Sequence, residues 1–300
     1  MRRAIAFLSD YGHADEFVGV CKAVMLGVAP ELQIIDITHD LPAHDVRAGA
    51  LALVRAVQYL PDASVVLAVV DPGVATDRRL VAVETEAGTL LGPDNGLLAP
   101  AVAMLGGAQR VVHITSEDHR LPAPGPTFAG RDVLAPAAAY LATGTLIGDL
   151  GADVDPSGLV PGLVGLPQLG DGGAIQAEVW WVDRFGNCQI NVGPDELIEA
   201  GATPQGAIEV RMGPRAKSAR WVHAYADAKP SELVLLVDSY GMVALALDRR
   251  SAAAEFGLQA GSPVTLLPPG TTAPDPHAPD PLAVRATPDA GNLNTGNPST

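Results

Sequence analysis

The sequence predicts a mixed α/β protein: an N-terminal domain with a central, mainly parallel sheet flanked by helices, then a smaller domain of antiparallel or barrel-like strands. Three observations carry this. Through about residue 142, short apolar runs alternate with helix-period segments, the signature of parallel strands joined by crossover helices. A stretch dominated by Gly, Pro and Leu, GLVGLPQLGDGG at 162–173, then interrupts the pattern. Beyond it, apolar runs follow one another with only turns between. The expected division is a first domain over 1–163, a linker over 164–173, a second domain over 174–268 and a disordered tail over 269–300, where Pro, Gly, Thr and Asp replace hydrophobic patterning.

The elements follow in order. Ala4 to Leu8 is the first strand; the preceding Met-Arg-Arg mimics a secretion signal, but the apolar run is too short and ends at Asp10. From Asp15 to Val28, Phe17, Cys21, Val24, Met25 and Val28 share one helical stripe, stopped by Pro30. Leu32 to Ile37 is the second strand. Asp45 caps a helix whose Val46, Ala50, Leu53, Val54 and Val57 share a face. Ser64 to Val70 is a β-branched third strand, followed by Leu80 to Val83, Thr89 to Leu91 and Val111 to Ile114. A Pro/Gly-rich loop from Leu121 to Gly130 precedes a helix from about Asp132 to Ala142. In the second half, strands are expected at Ala174 to Val182, Ala207 to Met212, Leu233 to Val237 and Val243 to Leu247.

Composition narrows the function. Hydrophobic residues make up 48% and charged residues 18%, a globular balance, while aromatics at 4% leave Ala, Val and Leu to fill the core. With 34 acidic against 19 basic residues the net charge is -15, which argues against nucleic acid as a partner. No run approaches the roughly 18 apolar residues of a membrane helix, so no membrane association is expected. Two cysteines, Cys21 and Cys188, are too few for a disulfide framework, and a reducing, cytoplasmic setting is the expectation.

The polar residues fall at informative places. Asp10 closes the first strand, Asp36 and His39 lie at the end of the second, and Asp71 closes the third. Open parallel sheets bind ligands beyond the carboxyl ends of their strands. Each aspartate alone could cap a helix or open a turn; three together point to a site. In DPGVATDR, a rigid turn joins Asp71 to Arg78, a pair able to orient a small polar molecule such as water, or simply a loop ion pair. The PDNG turn at 93–96 reads as a hairpin or the start of a helix. No phosphate-binding glycine loop, dinucleotide fingerprint, zinc-protease motif or nucleophile elbow occurs. His13, His39 and His44 lack ligand spacing, and no metal is expected.

With these segments in view, the sequence resembles the S-adenosyl-L-methionine (SAM) hydroxide adenosyltransferases, relatives of fluorinating and chlorinating enzymes that attack the same substrate. The matching stretches run in order through the chain: FLSDYGHADEFVGVCKAVM, IIDITHDLPAHDVRAGA, VVDPGVATDRR, GPDNGLL, PTFAGRDVLAPAAAYLA, VDRFGNCQINV and VDSYGMVALAL. The resemblance implies a C-terminal β-barrel and a homotrimer whose sites combine one subunit's first domain with a neighbour's second. It implies SAM as substrate, no cofactor, and hydrolysis to adenosine and methionine. By position, Asp10 would hold the ribose hydroxyls, Asp15 would face the ligand from the first helix, and Phe128 would line the reaction pocket. Phe185 and Asn187 would contact adenine, Asp183 the methionine ammonium, and Ser239 the methionine moiety. Read singly, Phe128 and Phe185 are equally core aromatics, and Asp183 with Gly186 a turn. Asp71 and Arg78 match the pair that handles water or hydroxide.

Two positions depart from relatives. Halogenating enzymes carry an aromatic hydroxyl where Asp71 stands, and a fixed carboxylate there repels halide; Gly130 replaces the serine of the fluorinating type. The family motif TFHGRD reads TFAGRD, so Ala129 cannot carry a proton. A binding protein without catalysis and, less so, a halogenase therefore stand beside the hydrolase as alternatives.

Overall fold

The computed structural model describes residues 3–170 and 173–271; most of the tail expected over 269–300 lies outside the described residues. The first seven strands form one sheet: β1 (Ile5–Ser9), β2 (Ile34–Thr38), β3 (Val65–Val69), β4 (Leu80–Glu84), β5 (Thr89–Pro93), β6 (Arg110–Ile114) and β7 (Gly151–Val154). Their spatial order is β2-β1-β3-β5-β4-β6-β7. The pairs β1–β2, β1–β3 and β3–β5 are parallel; β4 runs antiparallel to β5 and β6, and β7 antiparallel to β6. Five of the seven strands thus point one way. The reversal at β4 has a local cause: a tight turn at 85–88, closed by Thr85 Oγ1 donating to the Gly88 carbonyl, makes β4 and β5 a hairpin.

Both faces of the central strands β1, β3 and β5 are buried, which explains their uninterrupted apolar runs, whereas the edge strands β2 and β7 are partly exposed. Ile5 and Phe7 of β1, with Val65, Leu67 and Val69 of β3, pack on α1 (Phe17–Val28) and α4 (Ala135–Thr143). Their alternates Ala6, Leu8, Val66 and Ala68 pack on α2 (Val46–Val57) and α3 (Ala99–Met104). Five alanines in α4 let it lie close to α1 and the sheet without large side chains. Asp45 caps α2 as expected, its Oδ1 accepting from the Ala48 amide at 2.8 Å.

The helix expected from Asp132 begins differently. Gly130–Leu134 is a π-helical turn that runs into α4, with the Ala135 amide bonded to the Gly130 carbonyl. Pro136 has no amide to give the Asp132 carbonyl, which accepts instead from the Leu121 amide at 2.8 Å. The slipped ladder ties the Pro/Gly-rich loop to the helix start.

The remaining strands are β8 (Gln168–Leu169), β9 (Ile175–Val182), β10 (Cys188–Ile190), β11 (Ala207–Met212), β12 (Arg215–Trp221), β13 (Leu233–Val237), β14 (Val243–Leu247) and β15 (Pro263–Leu267), with short helices α5 (Pro194–Glu199) and α6 (Ala252–Phe256). Their order is β10-β14-β13-β12-β11-β15-β9-β8, and β10 also pairs with β9. That pairing closes β9 to β15 into a seven-stranded barrel. Only β12–β13 is parallel among these pairings. The stretch expected as a linker is not wholly irregular, since β8 adds to the side of β9. β7, β10, β12, β15, α3, α5 and α6 were not distinguished from sequence; each is short or flanked by polar residues that blur its period.

The barrel packs against the back of α2. Arg47 pairs with Glu178 at 2.6 Å, and the Arg55 guanidinium lies 4.6 Å from the centre of the Trp181 ring. Among the described residues no helix is long and apolar enough to cross a membrane.

Candidate active site

The chain leaves β1 for β2 on one side, then returns past β1 to β3 on the other. The strand order therefore reverses between β1 and β3, where a crevice opens beyond their carboxyl ends. Asp10 and Asp71 stand on the two lips of that crevice, and both line a cavity of about 390 Å³. Tyr11, Phe17, His44, Phe128, Ala129 and Gly130 complete most of its wall.

Each side chain has a traceable support. Asp10 Oδ2 accepts from the His44 amide at 2.8 Å, and His44 adopts a φ of 66°. The Tyr11 amide approaches Ser9 Oγ at 3.4 Å, and the Gly12 amide bonds to the His39 carbonyl at 2.7 Å. Three rings, Tyr11, Phe17 and Phe128, meet edge to face with centroids 5.3–5.8 Å apart. Burial and the nearby carboxylates push the Tyr11 hydroxyl well above the ordinary phenol range, so it stays protonated.

Asp71 is gripped by Arg78. Nε lies 2.8 Å from Oδ1 and 3.0 Å from Oδ2, and a terminal nitrogen lies 2.5 Å from Oδ2. The side chains are only 8% and 14% exposed, so solvent screens the pair weakly. The turn between them is fixed by Val74 N to Asp71 O (3.2 Å) and by Thr76 Oγ1 to Gly73 O (2.6 Å). Arg79, the next residue, turns to Asp94 at 2.5 Å and to the Gly158 carbonyl, so the two arginines serve different carboxylates. Arg78 and Ala129 also border a second cavity, of about 770 Å³, walled by the 117–126 loop. The Asp71–Arg78 pair forms part of the partition between the two spaces.

Asp36 and His39, placed at the same edge by sequence, do not line the Asp10 cavity. His39 is fully buried with Nδ1 2.7 Å from Ser9 Oγ and Nε2 3.2 Å from Asp36, which also receives Lys22 at 2.6 Å. This chain ties the ends of β1 and β2 together.

The C-terminal candidates lie elsewhere. Asp183, Asn187 and Ser239 line a cavity of about 450 Å³ between α2 and the barrel, with Arg55, Trp181 and Tyr240. The Asp183 carboxylate accepts from the Phe185 and Asn187 amides, both at 2.9 Å, and from Asn187 Nδ2 at 2.8 Å. The turn reading of Asp183 with Gly186 is thus realised: Gly186 has a φ of 82°, and a Cβ there would meet Ser251 Oγ at 2.0 Å. Phe185, by contrast, is no core aromatic; it stands 72% exposed at the tip. Asp15 is exposed just before α1 and lines none of these three cavities.

The structure therefore gathers Asp10, Asp71 and Phe128 in one space, with Arg78 behind Asp71, and Asp183, Asn187 and Ser239 in another. Sequence reasoning passed over Tyr11, which lines the cavity beside Asp10. The signal for Tyr11 was its place next to Asp10 at a strand end.

Comparison with known proteins agrees with this architecture. The family model for the SAM hydroxide adenosyltransferase N-terminal domain matches residues 5–151, and that for the C-terminal domain matches residues 177–265. This chain is a SAM hydroxide adenosyltransferase family member. A relative named (R)-S-adenosyl-L-methionine hydrolase from Salinispora tropica is 43% identical over 257 residues, 86% of this chain and 95% of that protein. One of the same name from Thermus thermophilus is 40% identical over 272 residues, 88% of this chain and all of that protein. A more distant relative, from Actinoplanes sp., is named fluorinase and is 28% identical over 289 residues, 87% of this chain and 96% of that protein. The solved structure of a conserved protein from Thermotoga maritima superposes with a TM-score of 0.81 at 30% identity, covering 88% of this chain and 99% of that one.

Proposed function

We propose that the protein hydrolyses S-adenosyl-L-methionine to adenosine and L-methionine, and, after the names of its relatives, that the (R) sulfonium epimer is its substrate. The observation that carries the reading is the buried Asp71 carboxylate, clamped by Arg78 and facing the switch-point cavity.

The chemistry sets the requirements. Methionine leaves C5′ of the ribose as a neutral thioether, so the leaving group needs no acid. The weak partner is water, which must be held in line behind the carbon and relieved of a proton. Arg78 places one contact on Asp71 Oδ1 and two on Oδ2, leaving an acceptor site on Oδ1 for a water proton. The guanidinium behind it stabilises hydroxide character as the proton leaves. An anionic side chain at this point also disfavours a halide nucleophile. Asp10, braced by His44, is placed to receive the ribose hydroxyls, and Phe128 to exclude water from the reacting carbon.

A homotrimer with shared sites accounts for the rest. Two domains, 1–163 and 174–268 joined by 164–173, would each supply half a site. Asp183 and Asn187, with the exposed Phe185, would meet the methionine and adenine ends from a neighbouring subunit, with Ser239 beside them and Asp15 facing the join. The separation of these residues from Asp10 within one chain supports that arrangement. Buried free thiols at Cys21 and Cys188 fit a reducing, cytoplasmic setting, and no cofactor is required.

The test is incubation of the purified protein with each sulfonium epimer while adenosine and methionine are followed by chromatography. Stoichiometric release of both is expected. Saturable binding without adenosine marks a binding protein instead, and a 5′-halogenated adenosine in added halide marks a halogenase.

A further inference from the structure

Asp71, with Arg78 behind it, presents its carboxylate to the cavity that Tyr11 also lines. The Phe128-Ala129-Gly130 part of the cavity wall offers no side-chain hydrogen-bonding group. One side chain brings a polar atom to that wall. A Cβ built on Gly130 would lie 2.1 Å from the Tyr11 hydroxyl oxygen and 3.1 Å from Cζ, so only glycine leaves room for the hydroxyl there. Among the described residues that hydroxyl has no hydrogen-bond partner, although the ring is held edge to face against Phe17 and Phe128. A half-buried phenol with no protein partner among the described residues, on a cavity that also holds Asp71, is set to bond a molecule inside it.

We infer that the Tyr11 hydroxyl is a third polar group of the nucleophile site, donating a hydrogen bond to the attacking water from the Gly130 side while Asp71 takes that water's proton from the other. The inference rests on the hydrolase reading. In the step, the water oxygen forms a bond to C5′, the C5′–S bond breaks with its electron pair passing to sulfur, and the water proton passes to Asp71. Tyr11 keeps its own proton throughout, and its donated bond strengthens as the oxygen gains negative charge, so it acts on the transition state more than on substrate binding. Gly130 is the complementary element, a vacancy that admits the hydroxyl.

Tyr11→Phe tests this, because it keeps the ring and its packing. The expected result is a kcat lowered about 10- to 100-fold, the range for a lost hydrogen bond to a charged group, with KM and thermal midpoint unchanged. Gly130→Ala, which drives a methyl into the hydroxyl, should lower kcat in the parent but add little on top of Tyr11→Phe. An unchanged kcat in Tyr11→Phe overturns the inference, and so does a raised KM at constant kcat, which would assign Tyr11 to substrate binding. A parent protein that binds SAM yet makes no adenosine overturns the hydrolase reading itself, and this inference with it.

Discussion

The side-chain amide of Asn95 donates a 2.9 Å hydrogen bond to the main-chain carbonyl of Val70, the residue just before Asp71. The Asn95 carbonyl oxygen in turn accepts from the Leu97 amide at 3.2 Å, so the turn after β5 braces the strand end that carries the carboxylate. A turn that the sequence alone reads as a hairpin or helix start therefore fixes the height of Asp71 in the cavity. Asn95→Ala removes that brace and leaves the Val70 carbonyl unpaired. Stability should fall by about 1–3 kcal/mol, and kcat should fall with it while KM holds; urea unfolding and steady-state kinetics read both.

Asp71 itself is the sharper test. Asp71→Asn keeps the shape and one acceptor but cannot take a proton. Turnover should fall at least ~100-fold, the low end for loss of a positioned base, while SAM affinity measured by calorimetry stays close to the parent value. Turnover equal to the parent's would remove Asp71 from the role of base.

Shared sites make a prediction that separate sites do not. Asp71→Asn disables the N-terminal half of a site, and Phe185→Ala with Asn187→Ala disables the C-terminal half. If each site joins halves from two subunits, unfolding and refolding the two inactive variants together should regenerate some sites free of both lesions. Recovered adenosine production is the expected outcome. Mixtures as inactive as their components, in mixed trimers verified by mass, would confine each site to one chain.

Stability should depend on pH through His39. Burial lowers its pKa from the ordinary imidazole range, outweighing the opposite pull of Asp36. In the unfolded chain the imidazole takes up a proton below about pH 6.5, whereas the folded site resists until lower pH. The unfolded state therefore binds more protons, and stability falls as pH drops from about 6.5 through the folded value. Melting temperatures across pH 7.5 to 5 should decline in the parent and flatten over that window in His39→Asn. Equal slopes would place the titration in another group.

The two thiols should be silent in the folded protein. Burial pushes Cys21 and Cys188 each up to about 12, so almost no thiolate exists at neutral pH. An aromatic disulfide reagent should release no rapid colour from native protein and two equivalents per chain in denaturant.

Much of this was readable before any coordinates. Continuous apolar runs marked β1 and β3 because strands buried on both faces need side chains of one kind throughout, and Asp45 announced its helix because a cap must satisfy free amides. Asp10 and Asp71 were found from the strand ends they follow. Asp36 and His39 look equivalent in the sequence, yet Lys22 from α1 and Ser9 from β1 draw them into a brace beside the site. Nothing in the spacing of residues 9, 22, 36 and 39 encodes that meeting.

The sequence by itself determined the elements, the ordered motifs of the family and the residues at the ends of β1 and β3, because backbone periodicity and turn chemistry act over a few neighbouring residues. Tertiary structure alone decided the closure of the barrel through β9 and β10, the bidentate geometry of Arg78 on Asp71, the assignment of Arg79 to Asp94, and the fit of the Tyr11 hydroxyl over Gly130. Those relations join atoms distant along the chain, and their separations are set by how helices and sheets pack, which no local pattern specifies.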